Sequence, residues 1–303
     1  MRIARIAVAL DGSRLAETVL PAARSLAETL AAELALVHVI EREPPREVHG
    51  EAHLATRDQA QAYLDELAAL MASEGIGCAT KVAEAAKDDV PAALEAQARE
   101  LGADLIALCA HGASNLRERV VGRIAERTLQ RGSIPVLLRT ARTPQAPAFE
   151  LRNLLTPIEQ GHDIGAAVDA SRTIAGAYGA TVTLLSVPER ASAPAARLQP
   201  GASALAYELG RDATSEHLER LASELRRDVT DVRAVVADGR PAAAILNLSQ
   251  SLPADLVVLV THARTGLSAW YDPGTVQQLL AHPDLTLLLL KQPSQDRGSY
   301  GSE

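Results

Sequence analysis

The decapeptide ADLIALCAHG at positions 103 to 112 returns as ADLVVLVTHA at 254 to 263, a spacing of 151 residues. A repeat of that span reads as a tandem duplication that has diverged. Upstream of each copy a Pro-Ala-Ala opens a helical stretch, PAALEAQARELG from Pro91 and PAAAILNLSQSL from Pro241. Downstream of each, a helix leads to another apolar run, IPVLLRT in one half and LTLLLLK in the other. The starts correspond more weakly: RIAVALDGS matches RNLLTPIEQG, and each is followed by a helix and a strand, ALVHVI and VTLLSV. At 303 residues the chain has room for two domains of about 150, each able to bury a core.

Runs such as LIALCA and DLVVLV are apolar without alternation, which suits strands covered on both faces of a parallel sheet. The helices between them are Ala- and Leu-rich with charged faces, as in LPAARSLAETLAAE. Alternating strands and helices predict a doubly wound α/β sheet in each half. The Pro-rich stretch TARTPQAPAFE reads as a linker, so the expected units are 1–142 and 151–292, joined by 143–150. ERASAPAARLQPGAS, 189–203, is a second loose segment, and 293–303 a disordered tail.

Composition excludes several functions. Aromatics are 2% of the chain and the net charge is −8, so neither the stacking platforms nor the basic stripe of a nucleic-acid binder is present. Cys78 and Cys109 form no C-x-x-C and have no ligand partners nearby in sequence, which argues against a disulfide framework or zinc site. The N-terminus MRIARIAVALDGS reaches an Asp too soon for a signal peptide, and no segment is apolar for the roughly 18 residues of a membrane span. The expected location is cytoplasmic, with no membrane contact.

In open α/β sheets, ligands bind beyond the carboxyl ends of the strands, where strand order reverses. VALDGS puts Asp11 at such a tip, where its carboxylate serves a ribose hydroxyl or an adenine amino group, or else Asp11 or Ser13 caps the helix that follows. The loop after LIALCA carries Gly112 and, before RIAERTL, Gly122. Glycines there read as ordinary turn residues or as a loop whose amides approach a phosphate, helped by a helix N-terminus. His111 and His262 recur at equivalent places and read as loop-orienting residues. HGEAH, 49–53, reads as a mobile loop, and NLRERVVGRIAER as a solvated helix face.

The order VALDGS, LVHVI, ADLIALCAHG and VVGRIAERTLQRGSIPVLLR resembles the universal stress protein family, over nearly the whole chain and in tandem. The resemblance implies two flavodoxin-like (adenine nucleotide alpha hydrolase-like) domains, each a five-stranded parallel sheet, paired through their last strands as a pseudo-dimer within one chain, with a further homodimer open. Nucleotide-binding members carry Gly-x2-Gly-x9-Gly-Ser/Thr after the fourth strand. Here those positions hold Cys109, Gly112, Gly122 and Arg123, so two of four depart from the pattern. Cys109 brings a side chain toward the ligand's backbone approach, and Arg123 exchanges a hydroxyl for a cation able to grip phosphate. Ala9, Asp11, Val39, Leu108 and Ile124 complete the implied site, with Ala110 flanking.

In the second half the corresponding residues are Glu159, Val187, Val260, Ala263, Gly274 and Thr275, a weaker set because Ala at a left-handed position is costly. What the resemblance implies is a stress-response protein whose ligand is ATP or another adenine nucleotide, with Mg2+ as a companion ion. The rival reading is a nucleotide-free scaffold that binds a protein partner. An ATPase or phosphotransferase ranks third, since no set of Mg2+ carboxylates and water-positioning base can be nominated; the expectation is a non-enzyme.

Overall fold

Strands that are apolar on both faces must be covered from both sides, and this chain does so with one continuous sheet. The computed structural model describes residues 1–86, 89–111, 125, 127–129, 132–159, 164–188, 200–261 and 275–291. The first half supplies β1 (Arg5–Ala9), β2 (Glu33–Ile40), β3 (Glu47–Val48), β4 (Glu51–Ala52), β5 (Cys78–Glu84), β6 (Leu105–His111) and β7 (Val136–Ala141). The second supplies β8 (Asn153–Pro157), β9 (Thr181–Ser186), β10 (Val232–Val236), β11 (Leu256–Thr261) and β12 (Thr286–Lys291). Ten of these form one sheet in the order β10-β9-β8-β11-β12-β7-β6-β1-β2-β5, while β3 and β4 pair only with each other.

Within each half all neighbours are parallel, in the order third, second, first, fourth, fifth. Strand order therefore reverses between β1 and β6, and again between β8 and β11. The sheet is sandwiched by helices. On one face lie α1 (Leu20–Leu30), α2 (Arg57–Ser73), α4 (Gly165–Tyr178) and α5 (Pro200–Leu225), burying Leu26, Leu64, Ile174 and Leu218 completely. The opposite face is covered by α3 (Val90–Glu100), α6 (Pro241–Ser251) and α7 (Thr275–Ala281), with Leu94, Ile245 and Leu279 inside. Helix ends follow local rules: Thr56 and Gln59 make a reciprocal capping box on α2, and Gly179 closes α4 in the left-handed region at φ 66°. The loose segment expected over 189–203 ends sooner, because Pro200 opens α5 and a proline is well placed in a first helical turn.

The duplication is visible in hydrogen bonds. Asp104, just before β6, accepts the amides of Ala4 and Arg5 on Oδ2 at 2.7 and 3.1 Å. Asp255, just before β11, accepts those of Arg152 and Asn153 at 2.8 Å each. Each aspartate thus ties the start of its half's first strand to the start of its fourth. Asp104→Ala and Asp255→Ala are each expected to cost about 2 kcal/mol in urea denaturation, since two bonds to a partly exposed charge are lost. Asp→Asn at either site is expected to cost less, as one acceptor remains.

The halves meet where β7 runs antiparallel to β12. Leu137 faces Leu288, flanked by Val136 opposite Leu289 and Leu138 opposite Leu287. At the repeat spacing of 151, Leu288 is the counterpart of Leu137, so the pair lies on a local two-fold axis. All six side chains are fully buried. Symmetry fails at the strand ends. Thr140 bonds the backbone at Leu285, whereas its counterpart Lys291 sends Nζ to the carbonyls of Thr128 and Gly132 in the other half. Burial lowers the Lys291 ammonium to about 8, against the opposing pull of Glu95.

Candidate functional site at the strand tips

The first switch point is built by the carboxyl ends of β1, β2 and β6. β1 ends at Ala9, and Leu10 continues its pairing by donating to the Val37 carbonyl at 2.9 Å. The chain then turns at Asp11-Gly12-Ser13. Asp11 Oδ1 accepts both the Ser13 amide at 2.9 Å and the Ser13 hydroxyl at 2.6 Å. Ser13 Oγ in turn accepts the amide of Ala16 at 3.1 Å, at the start of a short 3-10 turn. The capping role considered for this turn falls to Ser13. Ser13 holds the first helical amide, and Asp11 holds Ser13.

Gly12 is required here. Its φ is +89°, and a Cβ would lie 2.7 Å from the Leu54 side chain.

Alternation along β6 separates its side chains. Leu108 and Ala110 point to the α3 face, where Ala9 and Val39 also pack, half-buried, at the strand tips. Cys109 points the other way. Its Sγ is the partner of the Thr18 hydroxyl at 3.2 Å beneath the 3-10 turn, and the residue is 8% exposed. The side chain expected to crowd the ligand's approach is thus stowed on the α1 face.

Gly112, Gly122, Arg123 and Ile124 lie outside the described residues, as do Ala263 and Gly274. In the second half, Val260 takes the α-helical face that Cys109 takes in the first, and Val187 is half-buried like Val39. Glu159 follows Ile158, whose amide donates to the Leu185 carbonyl at 2.7 Å, matching Leu10 and Val37. Thr275 opens α7 and is 1% exposed, so its hydroxyl faces the interior.

One pair of residues escaped the sequence reading. His38 Nδ1 lies 2.8 Å from the Leu10 carbonyl, and Ser186 Oγ donates to the Ile158 carbonyl at 2.9 Å. Each supports the turn just before Asp11 or Glu159. The signal was a polar residue interrupting an apolar run at the same place in both copies, LVHVI and LLSV.

The HGEAH segment also departs from the expected mobile loop. Residues 47–52 make a two-residue hairpin, β3 to β4, with His49 and Gly50 both at positive φ, 51° and 80°. It lies over the Asp11 turn. Glu51 Oε2 accepts the Arg14 amide at 2.7 Å, and His49 Nε2 stands 3.9 Å from Asp11 Oδ2. Nearby, Tyr63 donates to Glu17 Oε1 at 3.0 Å. Burial raises the Glu17 carboxyl, with Glu51 and Asp11 adding to the rise, and burial likewise raises the Tyr63 phenol. Among the described residues no three His, Cys, Asp or Glu side chains converge as metal ligands.

A cleft of about 640 Å3 lies elsewhere, between the linker and the seam, where Thr18, Arg139, Phe149 and Asp255 are among its walls. It does not touch the Asp11 turn. Both of its arginines are engaged: Arg139 Nη1 donates to the Asp284 carbonyl at 2.9 Å, and Arg152 pairs with Glu150.

The chain's sequence matches the model of a family described as the universal stress protein family over residues 2–138 and again over 150–291. Its fold is similar to that of a universal stress protein from Archaeoglobus fulgidus, with a TM-score of 0.68 at 14% identity over 95% of this chain and 98% of that one. A Pseudomonas aeruginosa protein given the same family assignment superposes with a TM-score of 0.65 at 20% identity, covering 95% and 93%. The cytoplasmic domain of a prokaryotic cation chloride cotransporter is similar at 0.56 and 13% identity, over 96% of both chains. No curated protein matches the chain. No helix among the described residues is long and apolar enough to cross a membrane.

Proposed function

Since the chain belongs to the universal stress protein family in both of its halves, we propose that it is a cytoplasmic stress-response protein whose first half holds an adenine nucleotide. The role is binding, without a catalysed reaction. The observation that carries this reading is the arrangement at the first switch point. Asp11 stands at the tip of β1 with Ala9 and Val39 half-buried on one face beside it, and Leu108 and Ala110 close that face. An apolar wall with one carboxylate at its rim suits a nucleoside, whose base is flat and apolar on its faces and whose ribose offers hydroxyl donors. Gly112, Gly122 and Arg123 are the residues proposed for the phosphates, ATP bringing Mg2+ with it. Cys109 is compatible with this, as its thiol occupies the far face of β6.

The second reading is a scaffold that works through a protein partner and holds no nucleotide. Val260 and the buried Thr275 favour it for the second half, where the ligand loop's glycine and hydroxyl positions are filled or turned inward.

Equilibrium titration with labelled ATP separates the two. The parent is expected to bind saturably. Asp11→Ala and Gly112→Val are each expected to weaken binding at least about tenfold, which corresponds to about 1.4 kcal/mol, with the fold intact by circular dichroism. No saturation in the parent gives the scaffold reading. Equal binding by all three proteins places the ligand elsewhere.

A further inference from the structure

The hairpin of residues 47–52 and the residues to Leu54 form a strap across the Asp11 turn, and two imidazoles lie beneath and within it. His38 is 1% exposed, and its Nδ1 faces the Leu10 carbonyl at 2.8 Å. A carbonyl only accepts, so Nδ1 carries the proton and Nε2 of the neutral ring is a bare lone pair. That Nε2 is buried and meets no partner at full hydrogen-bond geometry among the described residues, although the Leu54 backbone of the strap lies close enough to the ring to act on it. Nδ1 of His53 is also buried with no hydrogen-bond partner among the described residues, and its ring centre lies 6.2 Å from that of His38 at a tilt of 56°.

From this geometry we infer that His38 and His53 form an acid-sensitive latch: the buried His38 ring is neutral while the strap is seated, and protonating it beside His53 lifts the strap from the Asp11 turn. A charge on the His38 ring, 1% exposed with the His53 ring 6.2 Å away, loses its hydration. Leaving the turn restores water to it.

The charged and titratable groups around the pair come from every neighbouring element. Asp11 and Arg14 lie on the turn, Glu17 on the 3-10 turn, His49 and Glu51 on the hairpin, and Tyr63 on α2. The His38 imidazole is held below its usual range, first by burial and then by His53, against the Leu10 and Leu54 carbonyls and Asp11. A base with a depressed pKa binds fewer protons seated than released. Seating therefore contributes fully above the ordinary histidine value of about 6.5, and its contribution is lost as pH falls through that value toward the seated one. Glu17, with its raised carboxyl, is the competing titration.

Hydrogen exchange on the full chain tests the latch, independently of any nucleotide. Two amides report on the strap: His53, bonded to the Arg46 carbonyl at 3.2 Å, and Arg14, bonded to Glu51. Their protection, corrected for the intrinsic rate at each pH, is expected to fall at least about tenfold between about pH 7.5 and about pH 5.5. In a variant combining His38→Gln with His53→Gln it is expected to stay level, and in Glu17→Gln to fall as in the parent. Level protection in the parent overturns the latch, as does a fall that persists without the two histidines or disappears with Glu17→Gln. Should the double variant not fold, imidazole titration of the parent by NMR decides. His38 titrating below about 6.5 in step with the amides supports the latch, and His38 titrating at or above that value overturns it.

Discussion

Leu288→Asp is expected to abolish the native sheet. The residue is fully buried on the local two-fold of the seam, facing the equally buried Leu137. Its neighbours Val136, Leu138, Leu287 and Leu289 provide no partner for a carboxylate. Burying an unpaired charge costs several kcal/mol even after relaxation, against a total stability of about 5–15 kcal/mol for a native protein. Leu288→Ala leaves a cavity instead, and is expected to cost about 2–5 kcal/mol while keeping the fold. Leu137→Asp should act like Leu288→Asp, because one contact serves both halves. Leu209→Asp, at a helix position 61% exposed, should stay within about 0.5 kcal/mol of the parent. Urea denaturation followed by far-ultraviolet circular dichroism measures all four. A Leu288→Asp protein as stable as Leu209→Asp would remove the seam from the fold.

The seam was legible in the sequence because LTLLLLK and IPVLLRT are too apolar for solvent-facing edges. The five-strand rhythm of each half was legible for the same reason. Apolar runs alternating with amphipathic helices leave few other architectures. What stayed hidden depends on which way a side chain points or on contacts between distant segments. Cys109 is legible at its strand position, but the direction of its side chain is not, because neighbours along a strand face opposite sides; the thiol meets Thr18, not Leu108 or Ala110. Asp104 and Asp255 stood in the repeated decapeptide, but their task appears only when the amides of residues 4–5 and 152–153 arrive. The strap was read as a loop because its turn uses His-Gly where Asn-Gly is the usual signal, and its seat comes from the Asp11 turn, far away in sequence. His38 was passed over as one polar residue in an apolar strand, although Ser186 repeats its role.

Gly12→Ala is the second large effect, and its two causes can be separated. The φ of +89° strains any residue with a Cβ, by about 1–3 kcal/mol. The new methyl also meets both Cγ and Cδ1 of Leu54 at 2.7 Å. Leu54 packs against the core on the α1 face, so giving way means unseating the strap. Overpacking of this kind costs about 1–3 kcal/mol. The expected loss is therefore about 2–6 kcal/mol in the parent, but only about 1–3 kcal/mol in a Leu54→Ala background, where the methyl finds room. The difference between the two losses is the coupling between turn and strap. A coupling of about 1 kcal/mol or more means that whatever moves the strap also moves the turn on which Asp11 holds Ser13. A loss that is the same in both backgrounds would assign the whole effect to backbone strain, and the strap would then be free to lift without disturbing the carboxylate at the tip of β1.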